Sequence, residues 1–397
     1  MALFCCNAAG APYTPKEDAQ VLERLPIKRS DPVAAELQAL RRAHAAAPAD
    51  PAAATALARK YFELASAAGD PRYIGYAEAV LQRWPDATAP VEVILIRALL
   101  RQHRHDFAPA IAGLATVLER EPDNTEAIGW RAALFLVQAE YGKARAECER
   151  LEPAATRLTL LACTGAVDSI NGRSKAAYAA LSGELAREPT KNAGFRVWII
   201  TRLAEMAQRM GEAKLAEKHF RDALEETAKQ GTPDAFVLAA LADLLLDQDR
   251  NADVIALLRD WTRSDVLLVR LTLAEIKAGA PGAKQHARIL ADRFAASALR
   301  GDRLHLDDEA RFTLATGGDA KRALAVALDN WKTQREPGDA RTLMQAAIAA
   351  GEPRAAQGAL DWMRTTGYED PLYRSLAARL EREIGNPTGA AAGSPSK

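Results

Sequence analysis

The sequence has almost no alternation of β-branched with polar residues, which argues against a sheet protein. It has no surplus of either charge: Lys+Arg and Asp+Glu number 52 each. A nucleic-acid binder carries excess basic residues to displace counterions from phosphates, and electrostatic attachment to a lipid surface needs the same excess. Neither partner is expected. Long apolar runs are missing too. The longest, VEVILIRALL at 91–100, is too short to span a bilayer and contains Glu92 and Arg97, so no integral membrane segment is expected. There is no P-loop, no GxGxxG after a strand, no HExxH and no GxSxG. Nothing pairs a nucleophile with a base, and the chain is read as non-enzymatic, without cofactor or metal.

Reactive side chains are few. The four cysteines, Cys5, Cys6, Cys148 and Cys163, show no CxxC or Cys/His metal spacing. Cys148 and Cys163 each fall on an apolar helix face. Core thiols are the expected reading, with a disulfide between them as the alternative. His103 and His105 lie two apart, on different faces of a helix, and cannot share a metal. HLDDEARF (305–312) places a histidine beside three carboxylates. Acidic residues stabilise a helix N-terminus through its dipole, and that reading is preferred over an acid–base or metal site. The basic cluster Arg196, Arg202, Arg209, Lys214, Lys218 and Arg221 is interleaved with Glu205, Glu212 and Glu217, and reads as a solvated helix face.

What the sequence does contain is alanine-rich helix, with glycine and proline at boundaries, and an internal rhyme. Ala98 matches Ala132, Asp106 matches Glu140, Phe107 matches Tyr141, Ala110 matches Ala144 and Leu114 matches Cys148, always 34 residues apart. The short residue recurs at Ala110, Ala144, Ala177, Ala216, Val254, Ala323 and Ala356, with Ala287 a further anchor. Four residues after each comes Leu114, Cys148, Leu181, Phe220, Leu258, Ala327 or Leu360. Residues 51–85 read as one more unit. A fixed period of this length in helical sequence means stacked helix pairs. Asp31-Pro32, Asp50-Pro51, Ser264 and Asp307 read as helix caps.

The pattern resembles the tetratricopeptide repeat (TPR) family, best in LAEMAQRMGEAKLAEKHFRDAL (203–224), where Leu203, Ala204, Gly211, Ala216, Phe220, Ala223 and Leu224 fill the family's positions. The first-helix aromatic is replaced by Ile94, Ile128 and Leu161, and the spacing drifts to 38 or 39 in the middle. The resemblance implies an all-α solenoid, a TPR superhelix of about 8–9 antiparallel helix pairs with helical caps over residues 30–385. Residues 1–29 look like the remnant of a secretory signal, MALFCCNAAGAPYTP, and 386–397 like a disordered tail. The chain is similar to bacterial TPR proteins that begin with an export signal. A periplasmic or secreted location is expected if the signal is real, and a cytoplasmic one otherwise.

The resemblance further implies a protein-interaction scaffold that binds a peptide or helix of a partner in its concave groove. An accessory or assembly factor for a membrane or secreted complex is the alternative. The first helices would line that groove with Leu95, Leu99, Gln102 and His103; then Gly129, Ala133, Leu136 and Val137; then Ala166 and Ser169; then Trp198, Thr201, Glu205 and Arg209. Lysine and asparagine residues that grip a partner's C-terminal carboxylate in some members are replaced here by Leu95, Gly129, Ala162, Thr201 and Ala239, and by Leu99, Ala133, Ala166 and Glu205. The groove therefore suits an apolar segment. Both ends read as capped, so a monomer is expected.

Overall fold

The computed structural model describes residues 32–385 except 69, 71 and 230–233, together with Glu17 and Gln20. Apart from those two residues, the segment 1–29 expected to be a signal remnant lies outside the described residues, as does the segment 386–397 expected to be a disordered tail. The described chain is helical and contains no strand. A lone helix α1 (Pro32–Ala46) packs on the first of nine antiparallel pairs. The first three pairs are α2 (Pro51–Ala68) with α3 (Arg72–Leu81), α4 (Val91–His103) with α5 (Phe107–Arg120), and α6 (Thr125–Val137) with α7 (Tyr141–Glu149). Next come α8 (Arg157–Ile170) with α9 (Ser174–Arg187), α10 (Ala193–Arg209) with α11 (Ala213–Lys229), and α12 (Ala235–Asp247) with α13 (Asn251–Leu258). The last are α14 (Asp265–Ala278) with α15 (Ala283–Arg300), α16 (Leu306–Ala315) with α17 (Ala320–Trp331), and α18 (Pro337–Ala350) with α19 (Gln357–Thr366). A final helix, α20 (Pro371–Gly385), packs on α18. This is the expected α-solenoid of stacked pairs.

The recurrent short residues explain the pairing. Ala110, Ala144, Ala177, Ala216, Val254, Ala323 and Ala356 are all buried, and so are the partners one turn later. A methyl-sized side chain lets two helix backbones approach, and the bulkier residue fills the space beside the crossing. In α3, Ala77 and Leu81 play the same parts, which brings the first pair into the series. The pair α14–α15 is held by Leu290 and Phe294, while Ala287 is only half-buried. Helices α10 and α11 have 17 residues each, against 13 and 9 in α6 and α7, and this extra length is the drift in the repeat.

Caps set the helix starts. Asp50 Oδ1 accepts from Ala52 N at 3.0 Å, and Asn124, Asn192 and Asp234 accept from the backbone three residues on at 2.9, 2.9 and 3.1 Å. Two expected caps differ. Ser264 precedes α14 but its hydroxyl caps nothing, and Asp307 sits inside the first turn of α16, whose capping position is His305. Asp31 lies outside the described residues.

The stack does not stay open. Its last units turn back onto its middle. Trp362 Nε1 donates to Tyr141 Oη at 2.6 Å, Arg335 N to the Val137 carbonyl at 2.8 Å, and Ser174 N to Glu369 Oε2 at 3.1 Å. Ile170 of α8 belongs to the same apolar cluster as Leu343, Trp362 and Tyr368. On the other side α2 meets α12. The concave faces of the middle and last units thus confront each other and enclose an interior.

Turns within the pairs need a left-handed residue. Glycine fills the position at Gly172 and Gly211, but His105, Ala139 and Asp249 occupy it with φ of 58°, 60° and 55°. At Gly172 a Cβ would also come within 2.9 Å of the Gly367 carbonyl oxygen, across the closure. Substitutions at the two turns should therefore have opposite signs. Ala139→Gly is expected to stabilise by about 0.5–1 kcal/mol, and Gly172→Ala to destabilise by more than about 1–2 kcal/mol, both measured by urea unfolding.

Candidate functional site

The concave face carries two adjoining cavities. The first, of about 380 Å³, is an apolar groove between α6, α8 and α10. Its walls include Trp130, Ala133, Leu136, Ala166, Phe195 and Trp198. Trp198 is 39% exposed and stacks on Phe195 with ring centroids 5.9 Å apart. Cys148 and Cys163 form part of the floor and are joined as a disulfide, with Cα atoms 5.5 Å apart. The expectation of free core thiols is corrected here. The packing of α7 on α8 brings the two residues within bridging distance, which a reading of each helix face by itself does not reveal. Closing a loop of this length restrains the unfolded chain by about 3 kcal/mol.

The second cavity, of about 390 Å³, lies in the enclosed interior and shares Leu136, Ala166 and Arg202 with the groove. It is lined by charge. Arg270, buried, donates to Asp243 at 2.8 and 3.0 Å and to Asp308 at 3.0 Å. Arg311 donates to the other oxygen of Asp243 at 2.6 Å. Burial alone would raise the Asp243 carboxyl, but Arg270 and Arg311 hold it well below the usual carboxylate range. Arg341 forms a two-pronged pair with Asp247, at 2.9 Å for one prong. Arg202 pairs with Glu205 at 2.8 Å and lies 5.8 Å over Trp198 and 5.4 Å over Phe236. Arg209 donates to Ser169 Oγ at 2.6 Å, with Glu205 3.5 Å away.

Every lining arginine is thus engaged, while four lining carboxyls, Asp307, Glu336, Asp339 and Asp370, have no ion pair. Asp307 is pushed up by burial, which outweighs the pull of Arg311, and Asp308 adds to the push. Its Oδ1 is shut off from solvent and accepts no hydrogen bond. Glu336 is raised by burial and by Glu205, with Asp307 adding to it. Asp339 is raised well above its ordinary value by burial and by Asp307 and Glu336. It accepts from Asn330 Nδ2 at 2.7 Å and Glu336 N at 2.8 Å. Burial also raises the Tyr368 phenol, to about 12. Among the described residues, no three His, Cys, Asp or Glu side chains are close enough together to hold a metal ion.

The residues expected to line the groove fall in several different places. Gly129, Ala133, Leu136 and Trp198 line the apolar groove, together with Ala166. Leu136, Glu205 and Arg209 line the charged interior. Leu95, Leu99, Ser169 and Thr201 are buried in packing and are not available to a partner. Their helices turn these positions toward the neighbouring unit. Gln102 and His103 lie away from both cavities; His103 packs edge-on against Phe62 at 6.1 Å. Val137 contributes a carbonyl to the closure rather than a side chain to the groove. The basic cluster is corrected in part. Lys218 and Arg221 are exposed and paired along α11, but Arg202 and Arg209 point inward. HLDDEARF does open a helix, and its Asp307 also faces the interior cavity.

No protein-family profile and no curated protein matches the chain. Among solved structures it is similar to a tetratricopeptide repeat protein from Parabacteroides merdae (13% identity, 73% of this chain and 98% of the other, TM-score 0.29). It is also similar to Rap protein complexed with Competence and Sporulation Factor (13% identity, 89% and 97%, TM-score 0.40). A third is the TPR domain of P58(IPK) (12% identity, 90% and 99%, TM-score 0.23). No helix among the described residues is long and apolar enough to cross a membrane.

The raised carboxyls have a consequence for stability. A group whose folded pKa exceeds its unfolded value binds more protons when folded, so stability falls as pH rises through the folded pKa. The double variant Asp307→Asn/Glu336→Gln should therefore be more stable than the parent at about pH 8, by about 1 kcal/mol or more, with the difference shrinking toward about pH 5. Thermal unfolding across that range measures it.

Proposed function

We propose that the protein is a non-catalytic scaffold that captures an apolar helix or extended segment of a partner protein in the groove between α6, α8 and α10. One observation carries this reading: a concave apolar surface in which Trp198 remains exposed although it stacks on Phe195 and supports Arg202. A large apolar patch left open on a folded protein is a common mark of an interaction site. Large rigid rings also supply contact area with little loss of side-chain freedom. The groove floor is firm because a disulfide spans it, so a partner meets a surface already shaped. The lining arginines are occupied with carboxylates rather than poised as acids or nucleophile activators, which favours recognition over chemistry.

The same disulfide supports a location outside the reducing cytoplasm, periplasmic or secreted, because such bonds persist in oxidising compartments. Protein purified from its native host without reductant should resist alkylation at Cys148 and Cys163 until it is reduced. Free thiols at both positions would reject export.

Affinity capture from native extract tests the groove. Trp198→Ala and Leu136→Asp should each remove the partner from the captured set, at a cost of roughly tenfold or more in affinity, while thermal unfolding confirms that the fold survives. A partner retained by both variants would reject the groove as the site.

A further inference from the structure

The interior cavity continues the apolar groove, and its lining has an unmet demand for positive charge. Arg202, Arg209, Arg270, Arg311 and Arg341 are satisfied by Glu205, Asp243, Asp247, Asp308 and Ser169. No ion pair answers Asp307, Glu336, Asp339 or Asp370, and Asp307 Oδ1 is both enclosed and without a hydrogen bond. A hydrogen-bond acceptor sealed from water without a donor costs free energy, and an ionised one costs more. Such an arrangement stays in a fold at a loss unless something fills it. The two cavities meet at Leu136, Ala166 and Arg202, so a chain lying on the apolar wall passes the mouth of the charged one.

We propose that the interior cavity is the specificity pocket for a basic side chain, lysine or arginine, of the partner segment whose apolar residues occupy the groove. The basic group enters past Arg202 and donates to Asp307 and Glu336. The aliphatic part of its side chain lies against Leu136 and Ala166. This recognition is opposite in sign to a clamp that grips a partner's terminal carboxylate. An acidic residue at the same place would meet three carboxyls with no free arginine beside them. This inference rests on the reading of the groove as the partner site.

The test uses the full-length protein and capped hexapeptide mixtures. Two positions are varied among leucine, isoleucine, phenylalanine and tryptophan, and an adjacent position is fixed as lysine, arginine, glutamine or glutamate. Lysine and arginine mixtures should be retained roughly tenfold over glutamine, as expected for a charge-assisted hydrogen bond, and glutamate mixtures least of all. In Asp307→Asn/Glu336→Gln that preference should fall to about twofold or less while the apolar preference persists. The variant should remain folded, since neutralising mutually repelling carboxyls relieves strain. Retention of apolar peptides with no preference for a basic residue, or a preference unchanged in the variant, would overturn the pocket and leave the groove standing. Failure to retain any peptide would overturn both. Free arginine competing as well as the basic peptides would mean a small-molecule site and would also reject the proposal.

Discussion

A short side chain at the crossing of each helix pair is the constraint on which the rest depends. With Ala110, Ala144 or Ala216 at the crossing, two backbones come close enough for Leu114, Cys148 or Phe220 to seal the space beside them. The close crossing fixes the angle within a pair, and the pair then offers an apolar face that only the next pair can cover. Nine pairs stack in this way, the small rotation between neighbours that curves any such stack accumulates, and its end meets its middle. The bonds from Trp362 to Tyr141 and from Arg335 to Val137 are products of that accumulated rotation, not of any local signal.

Closure changes the chemistry of the inner face. In an open solenoid the first helices would present their polar residues to water. Here the same residues are enclosed, so each charge must find a partner or shift its protonation. Asp243 does the first, between Arg270 and Arg311, and stays ionised. Asp307, Glu336 and Asp339 do the second. A buried ion-pair network of this kind adds little net stability compared with apolar packing, but removing one member leaves a stranded charge. What it does in the fold is tie α12, α14 and α16 to one another. The disulfide plays a comparable part in the groove, where it anchors α7 to α8.

Much of this was legible in the sequence. The 34-residue rhyme gave the helix pairs and their small crossing residues, and the resemblance to the TPR family implied the apolar inner wall at Ala133, Leu136 and Trp198. The closure was not legible, because no repeat pattern records how far the per-unit rotation carries a long stack. That single gap accounts for most of the misreadings. Arg202 and Arg209 look like members of a balanced, solvated face until the last units are seen to cover them. Asp307 looks like an ordinary first-turn carboxylate. Ser169 and Thr201 look available although neighbouring units bury them. The pairing of Cys148 with Cys163 has a different cause, since adjacent helices meet at an angle that spacing alone does not reveal. The signal that could have exposed the interior was the sum of charges on the first helices of units five to nine, where Arg270, Arg311 and Arg341 stand opposite a larger set of carboxylates.

The central claim is that the stack closes and shelters its inner face. Amide hydrogen exchange at Arg335 tests it most directly, because this N–H finds its partner at Val137, far away in the sequence. The account predicts exchange slowed by several orders of magnitude, in step with the opening of the whole closure. Exchange at the rate of an unstructured peptide, with the helices on either side still protected, would contradict it.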